Sequence, residues 1–261
     1  MSEIKKSINK AYLIGCGTGD VELLTIKAYR LIQSMDVVLV DKLLGDEILD
    51  IIPTNINIID VGKQKNKISY SQDRINELLE KYLSQGLKVA RLKTGDPFIF
   101  GRGGEEGLFL LSKGYDFEVI PGISSCVTAP LSAGIPITHR DVSSGFSVVS
   151  PHLKDKKSDY SFLKLLSIPK HTTIVLMGLS KVKEIKKYAS YEGVQNDLPV
   201  AIISKATQKE QSHFITTINE LDNIPKHITS PAVIVFGEVV KYANFFPKYI
   251  HSIEKVKEYI A

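Results

Sequence analysis

Short apolar runs alternate with amphipathic segments through the first half of the chain. Runs of four or five apolar residues are typical of buried strands, and apolar residues at every third or fourth position predict helices. The predicted strands span 11–14, 37–40, 57–61, 88–92 and 117–120. The predicted helices span 22–34, with Asp20 as the N-cap, 72–84 and 105–113. This alternation predicts an α/β fold whose parallel sheet is covered by helices.

A second domain is predicted after a break in this pattern at 138–160, where serines, Pro151 and lysines replace the apolar runs. Later apolar runs predict strands at 173–177, 200–204, 213–217 and 232–237. The run at 213–217 follows the preceding strand so closely that we expect antiparallel pairs in this sheet. The predicted organisation is therefore an N-terminal α/β domain at 11–140 and a C-terminal α/β domain with a mixed sheet at 147–250.

Glycine-rich and charged segments follow the predicted strands of the first domain. They are the turn GCGTGD at 15–20, Asp41, Lys63 and the loop RLKTGDPFIFGRGGEE at 91–106. Ligands of parallel α/β sheets bind beyond the carboxyl ends of the strands, so these segments predict a ligand site. The glycine turn alone is ambiguous, because a tight strand-to-helix turn needs glycine without any ligand. Its third glycine also follows the second too closely for the dinucleotide fingerprint.

The loop at 91–106 has the composition of a binding loop, with four glycines, two arginines and a Gly-Asp-Pro turn. Asp96 precedes a proline and is restricted to extended conformations, so the turn is rigid. Glu105 and Glu106 are predicted to be ordinary carboxylates in the first turn of the following helix. For His139, in the segment GIPITHR, a hydrogen-bonded histidine in a tight turn is at least as good an interpretation as a site residue.

Charge and cysteine content exclude several classes of protein. The net charge of +4 does not argue for nucleic-acid binding. All the arginines precede position 150, so the N-terminal half is expected to bind any polyanionic ligand, although lysine-biased codon usage would give the same distribution. Two cysteines without a CxxC motif argue against structural zinc and disulfides and favour the cytoplasm. Neither a signal peptide nor a membrane span is expected.

Taken together, these motifs resemble the uroporphyrinogen-III C-methyltransferases of the tetrapyrrole methylase family. The resemblance covers about 11–240 and rests on GCGTGD, VGK, RLKTGDPFIFGRGGEE, VIPGISS, GIPITHR and SPAVIVFGEVV. It implies two α/β domains with the active site in the cleft between them, and a homodimer. It also implies that S-adenosylmethionine is the methyl donor, that S-adenosylhomocysteine is its product, and that no metal takes part.

The resemblance assigns roles to individual residues. Asp41 would be the proton acceptor and Lys63 the proton donor. Arg91, Arg102, Arg140 and Met177 would contact the substrate, whose eight carboxylates suit bidentate arginines. The cofactor contacts, mostly through backbone groups, would be Thr18, Thr94, Gly95, Asp96, Ile99, Ser124, Ser125, Met177 and Ala206. Three places depart from the family pattern. Relatives usually have Pro at position 18, Gly at position 94, and Thr-Gly-His where this chain has Ser150-Pro151-His152.

The implied reaction is methylation of uroporphyrinogen III at carbons 2 and 7. It gives precorrin-2, by way of precorrin-1, for sirohaem or cobalamin synthesis. The donor is a sulfonium and the nucleophile is a pyrrole carbon, so no serine or cysteine nucleophile is needed. Thr94 favours one alternative, a sister enzyme that methylates a later precorrin. Two further alternatives are a binding module without catalysis, which the presence of Asp41 and Lys63 disfavours, and a nicotinamide oxidoreductase, which rests on the glycine turn alone.

Overall fold

The computed structural model describes residues 10–41, 43–62, 70–152 and 157–251. By their contacts the described residues form two compact units, which divide between Ser124 and Ser125. The segment 125–140, which the sequence analysis assigned to the first domain, belongs to the second unit because its apolar side chains pack on the second sheet. Cys126, Ala129 and Ile135 lie in one buried cluster with Ile174 and Val235 of that sheet.

The first unit contains a five-stranded sheet in the order β3-β2-β4-β1-β5. The strands are β1 (Lys10–Gly15), β2 (Val37–Val40), β3 (Asn57–Asp60), β4 (Val89–Lys93) and β5 (Asp116–Ile120). Every neighbouring pair is parallel, which confirms the predicted α/β sheet. All five carboxyl ends therefore lie along one edge.

Within the described residues, four α-helices lie in the connections between these strands. They are α1 (Ile26–Ile32), α2 (Asp46–Asp50), α3 (Gln72–Ser84) and α4 (Gly103–Ser112). The predicted start of the first helix was wrong. Asp20 instead caps a 3-10 turn at Val21–Leu23, and the Thr25 hydroxyl accepts from the Ala28 N–H at 3.1 Å to begin α1. Helix α3 has its predicted bounds, and the Ser71 hydroxyl caps it.

The α3 helix covers one face of the first sheet. Leu79 and Leu83 are fully buried in one cluster with Val37, Leu39 and Val89 of the sheet. Their spacing of four residues places both leucines on the same side of the helix. Each buried side chain of this size stabilises the fold by about 1.5–3 kcal/mol, so this contact fixes α3 against β2 and β4.

The second unit contains a mixed sheet in the order β6-β7-β10-β8-β9. Its strands are β6 (Gly145–Val149), β7 (His171–Leu176), β8 (Pro199–Ser204), β9 (Ser212–Thr217) and β10 (Ala232–Phe236). Strands β6 and β7 are parallel, whereas β10 runs antiparallel to β7 and β8, and β8 runs antiparallel to β9. The predicted antiparallel pairs are confirmed. Strand β6 was missed because it lies inside the serine-rich break.

Two helices and several 3-10 helices complete the described part of the second unit. The helices are α5 (Ser125–Ser132) and α6 (Val182–Tyr191), and the 3-10 helices are Ser161–Ser167, Leu179–Lys181, Ile218–Glu220 and Glu238–Asn244. The sheet is buried on both faces: Ile202 and Ile234 pack in a cluster with α6, and Ile203 and Val233 pack in a cluster with α5. Within the described residues, no helix of either unit is both long enough and apolar enough to cross a membrane.

Candidate active site

The loops after β1, β4 and β5 meet at the carboxyl edge of the first sheet. The Gly95 N–H donates to the Gly17 carbonyl at 2.6 Å, and the Cys16 N–H donates to the Lys93 carbonyl at 2.8 Å. A Cβ atom on Gly15 would lie 2.5 Å from the Gly122 nitrogen. The backbones therefore touch at this point, and the glycines at 15 and 122 are required for packing.

Asp96 holds the Gly-Asp-Pro turn in shape. Its carboxylate accepts from the Phe98 N–H at 2.8 Å and from the Gly122 N–H at 3.1 Å. Ile99 follows on the exposed part of the same loop. The Asp96 carbonyl also accepts from the Ile99 N–H at 3.3 Å, so side chain and backbone together fix this turn.

Glycines and small buried residues line the same edge. Thr18 and Ser124 are buried beside the turns that they belong to. The Thr94 Oγ1 atom is buried and has no hydrogen-bond partner among the described residues. A buried hydroxyl without a partner is rare, and a bound ligand can supply the missing partner.

Asp41 lies at the end of β2 and is held by Arg91 of the neighbouring strand β4. The Arg91 side chain is 3% exposed and its Nη2 pairs with Asp41 Oδ1, whereas the Asp41 side chain remains 33% exposed. Arg91 Nη1 donates to the carbonyls of Leu39, at 3.2 Å, and Leu92, at 3.0 Å. The structure thus presents a partly exposed carboxylate on a buried guanidinium whose three nitrogens all donate hydrogen bonds.

Glu106 of α4 joins this pair from below the surface. It has no exposed area, and its Oε1 accepts from Arg91 Nε at 3.3 Å. Lys93 Nζ lies 3.0 Å from both carboxylate oxygens, and Gln72 Nε2 of α3 lies 3.2 Å from Oε1. Burial lowers the pKa of Lys93, the Arg91 charge lowers it further, and Glu106 opposes both effects.

Glu106 is the site residue that sequence reasoning missed. The expected first-turn position is correct, but the expectation of an ordinary first-turn carboxylate is wrong because Glu106 is buried in an ion-pair cluster. Glu105 does fit that expectation, since it forms an exposed pair with Arg102, whose Nε lies 2.9 Å from Oε1. The signal was available in the spacing: Glu106 shares the buried face of α4 with Leu110, four residues later.

Of the predicted basic site residues Arg102 and Lys63, only Arg102 lies among the described residues. Arg102 is exposed and forms the N-cap of α4 with a left-handed φ of 60°. Its pKa is raised, mainly by the hydrogen bond to Glu105. Lys63, the expected proton donor, lies outside the described residues.

Cys16 lies at the same edge but is not a nucleophile. Its side chain is fully buried, and burial raises the pKa of the thiol to about 12. The thiolate is therefore negligible near neutral pH. This agrees with the expectation that the chemistry needs no cysteine nucleophile.

The remaining predicted residues belong to the second unit. Met177 follows β7 with φ 58° and is exposed, and its carbonyl lies 3.0 Å from His152 Nε2. Ala206 is buried between two residues of positive φ, and Ser125 begins α5.

Arg140 is exposed, and its carbonyl lies 2.8 Å from Nδ1 of His139. That histidine also stacks on Tyr242 with ring centroids 4.4 Å apart, which fits a hydrogen-bonded histidine in a turn.

Comparison with known proteins places these features in a family. Residues 10–222 match the family model described as Tetrapyrrole (Corrin/Porphyrin) Methylases. A uroporphyrinogen-III C-methyltransferase of Bacillus subtilis is 39% identical over 237 residues, which are 90% of this chain and 92% of the relative.

A siroheme synthase of Photobacterium profundum is 41% identical over 246 residues, which are 93% of this chain and 52% of the relative. The chain thus spans about half the length of such relatives. Among solved structures, uroporphyrin-III C-methyl transferase from Thermus thermophilus, complexed with S-adenyl homocysteine, is 35% identical with a TM-score of 0.77. The match covers 89% of this chain and 99% of that one.

Proposed function

Because the chain belongs to the tetrapyrrole methylase family, we propose that it is an S-adenosylmethionine-dependent C-methyltransferase of uroporphyrinogen III. The product would be precorrin-2, formed by methylation at carbons 2 and 7 by way of precorrin-1. The structural observation that carries the proposal is the Asp41 carboxylate, held by buried Arg91 at the carboxyl edge of a parallel sheet. The proposed identity of the substrate is based on the Bacillus relative, whose sequence matches this chain over nearly its whole length.

The methyl donor is proposed from the shape of the glycine-lined edge and from the Thermus complex. S-adenosylmethionine supplies an electrophilic methyl group when bound. Thr18, Gly95 and Asp96 would contact it, and the Thr94 hydroxyl would donate a hydrogen bond to it. Ile99 and Ser124 of the first unit, and Ser125, Met177 and Ala206 of the second, are the other proposed contacts.

Asp41 is the proposed proton acceptor. Methylation of a pyrrole carbon leaves an excess proton on the macrocycle, and a carboxylate within reach can accept it. The pair with Arg91 orients this carboxylate while one-third of its side chain stays exposed. Lys63 is proposed as the proton donor.

Arginines that remain exposed are the proposed contacts for the substrate carboxylates. Arg102 and Arg140 meet this condition, and Met177 would contact the macrocycle. Arg91 was expected to bind a substrate carboxylate, but its nitrogens are already engaged within the unit. We therefore propose that Arg91 acts on the reaction by holding Asp41. We also propose a cytoplasmic homodimer, as the resemblance implies.

A sister activity on a later precorrin is the second candidate, and Thr94 is the observation that favours it. Its side chain stands where the family pattern usually has glycine, so it changes the volume of the cofactor loop. A competition assay separates the two candidates: uroporphyrinogen III and a later precorrin are mixed with labelled S-adenosylmethionine under argon. The proposal expects label in products of uroporphyrinogen III and almost none after Asp41→Asn. Preferential labelling of the later precorrin would support the second candidate.

A further inference from the structure

A buried ion cluster lies behind Asp41 and links four elements. Glu106 comes from α4, Arg91 and Lys93 from β4, Gln72 from α3, and Asp41 from the end of β2. Alternate residues of a strand point to the same face of a sheet, so β4 places its two cations side by side. Glu106 is the acceptor that both cations share.

The cluster pairs two basic side chains with two acidic ones. Arg91 and Lys93 contribute two positive charges and are almost completely buried. Asp41 and Glu106 contribute the two negative charges. Loss of one partner from a buried ion cluster leaves an uncompensated charge, which is strongly unfavourable. Glu106 therefore allows the two cations to lie next to each other beneath the site.

Geometry gives Glu106 a second effect, on the orientation of Arg91. The guanidinium is planar and its nitrogens form a rigid fork. Glu106 binds Nε, at 3.3 Å, while Nη2 pairs with Asp41. Fixing one edge of the plane fixes the direction of the other edge, where Asp41 lies.

We propose that Glu106 is a positioning residue for the reaction, which holds Arg91 so that the guanidinium keeps the Asp41 carboxylate in place as the proton acceptor. Nothing in this role requires Glu106 to touch the substrate. The inference rests on the proposed function of Asp41. It adds Glu106, a residue to which neither the sequence motifs nor the family resemblance assigned a role.

Among the described residues, few charged or titratable groups surround Asp41 and Glu106. Asp41 faces Arg91, and its charge also acts on Lys93 and on the buried thiol of Cys16. Glu106 faces Arg91 and Lys93, and its charge also acts on Arg102 at the start of α4. Substitutions within this set therefore change the electrostatic potential at Asp41 in a known direction.

The test is steady-state kinetics of Glu106→Gln against pH, with methyl transfer to uroporphyrinogen III as the readout. We expect kcat to fall at least about tenfold, as for the loss of a general base's correct placement, while both KM values stay within about twofold. Removing the negative charge makes the surroundings of Asp41 more positive, so the carboxylate holds its proton only at lower pH. The acidic limb of the kcat profile should therefore move to lower pH.

A second variant should shift the acidic limb of the kcat profile in the opposite direction. It also keeps the test decisive if Glu106→Gln does not fold. Lys93→Met removes a positive charge but leaves Glu106 paired with Arg91, so it should fold and move the acidic limb to higher pH. The double variant Lys93→Met/Glu106→Gln should regain the unfolding midpoint lost by Glu106→Gln without regaining kcat. Glu77→Gln, which removes an exposed carboxylate on α3, is the matched control and should leave every parameter unchanged.

The variants are compared with a wild-type enzyme that methylates uroporphyrinogen III. An inactive wild type would contradict the proposed function itself, which is a different outcome from a failure of the role proposed for Glu106. With active wild type, unchanged kcat in Glu106→Gln would overturn the inference. So would pH limbs that stay in place for both single variants, because a purely structural role lowers the amount of folded enzyme without moving the limb.

Discussion

At the scale of single residues, Gly122 has the least room for change. A side chain there would run into the backbone of Gly15 and Gly95, where the loops after β1 and β4 pass. We expect Gly122→Ala to lower the free energy of unfolding by about 3 kcal/mol, because the neighbouring atoms are backbone and cannot move aside cheaply. Urea unfolding followed by circular dichroism measures this.

Gly104→Ala is the matched control for that substitution. Gly104 lies in α4, and a Cβ atom there would have nothing within 4 Å. Alanine should raise the stability of the helix by up to about 1 kcal/mol. Equal effects of the two alanines would contradict the close backbone contact at 122.

Thr94 gives a second prediction at this scale. Its buried Oγ1 has no partner among the described residues, so the hydroxyl weakens the ligand-free protein. Thr94→Val should raise the free energy of unfolding without cofactor by about 1 kcal/mol and weaken the binding of S-adenosylmethionine. Thr94→Ser keeps the hydroxyl and should show neither change. Thermal unfolding with and without cofactor measures both effects, and a valine variant that binds as tightly as wild type would refute the proposed hydrogen bond.

Among the elements, strand β9 should make stability depend on pH. Burial lowers the pKa of His213, and the positive charge of Lys248 lowers it further, with the two nitrogens 3.0 Å apart. The unfolded chain then binds more protons than the folded one below the ordinary histidine pKa of 6.5. Stability is therefore present above that pH and falls as the pH drops through the lowered folded pKa.

His213→Gln removes this contribution. The variant should lose less of its urea midpoint than wild type between pH 7 and pH 5. Lys248→Ala should also flatten the profile, because without the lysine the histidine accepts a proton more easily. Parallel profiles for wild type and His213→Gln would show that β9 has no such effect.

Elements with a clear period were predictable, and elements defined by a few contacts were not. Helix α3 has thirteen residues with a regular apolar face, and its predicted bounds match the structure. Strand β6 is diluted by serine, and α2 has only five residues, too few for a period to show. Both Asp20 and Thr25 can cap a helix, and local spacing does not decide which of them begins α1. In the structure Thr25 caps α1, and Asp20 caps the 3-10 turn before it.

The site could be predicted in part for the same reason. Glycines and charged residues at strand ends indicated the carboxyl edge, since parallel strands all end there. What the sequence did not indicate was the partner of each charge. Arg91 was assigned to a substrate, yet it pairs with Asp41 and Glu106. Register between β2 and β4, which sets Leu39 opposite Arg91, brings that pair together and is a property of the folded sheet.

At the scale of the whole molecule, the described residues form two α/β units of a family whose chemistry depends on a bound sulfonium. That group is itself the electrophile, so no metal is needed to activate it. Methyl transfer should therefore proceed at an unchanged rate in the presence of EDTA. A rate that EDTA abolishes and a divalent metal restores would contradict this chemistry.

The most direct test of the central claim is to count the methyl groups that the protein adds. Purified protein is incubated without oxygen with S-adenosylmethionine and freshly prepared uroporphyrinogen III, and the tetrapyrrole is analysed by mass spectrometry. We expect a gain of two methyl groups with the wild-type protein, and no gain with Asp41→Asn. An unmodified tetrapyrrole, with S-adenosylmethionine demonstrably bound to the protein, would contradict it.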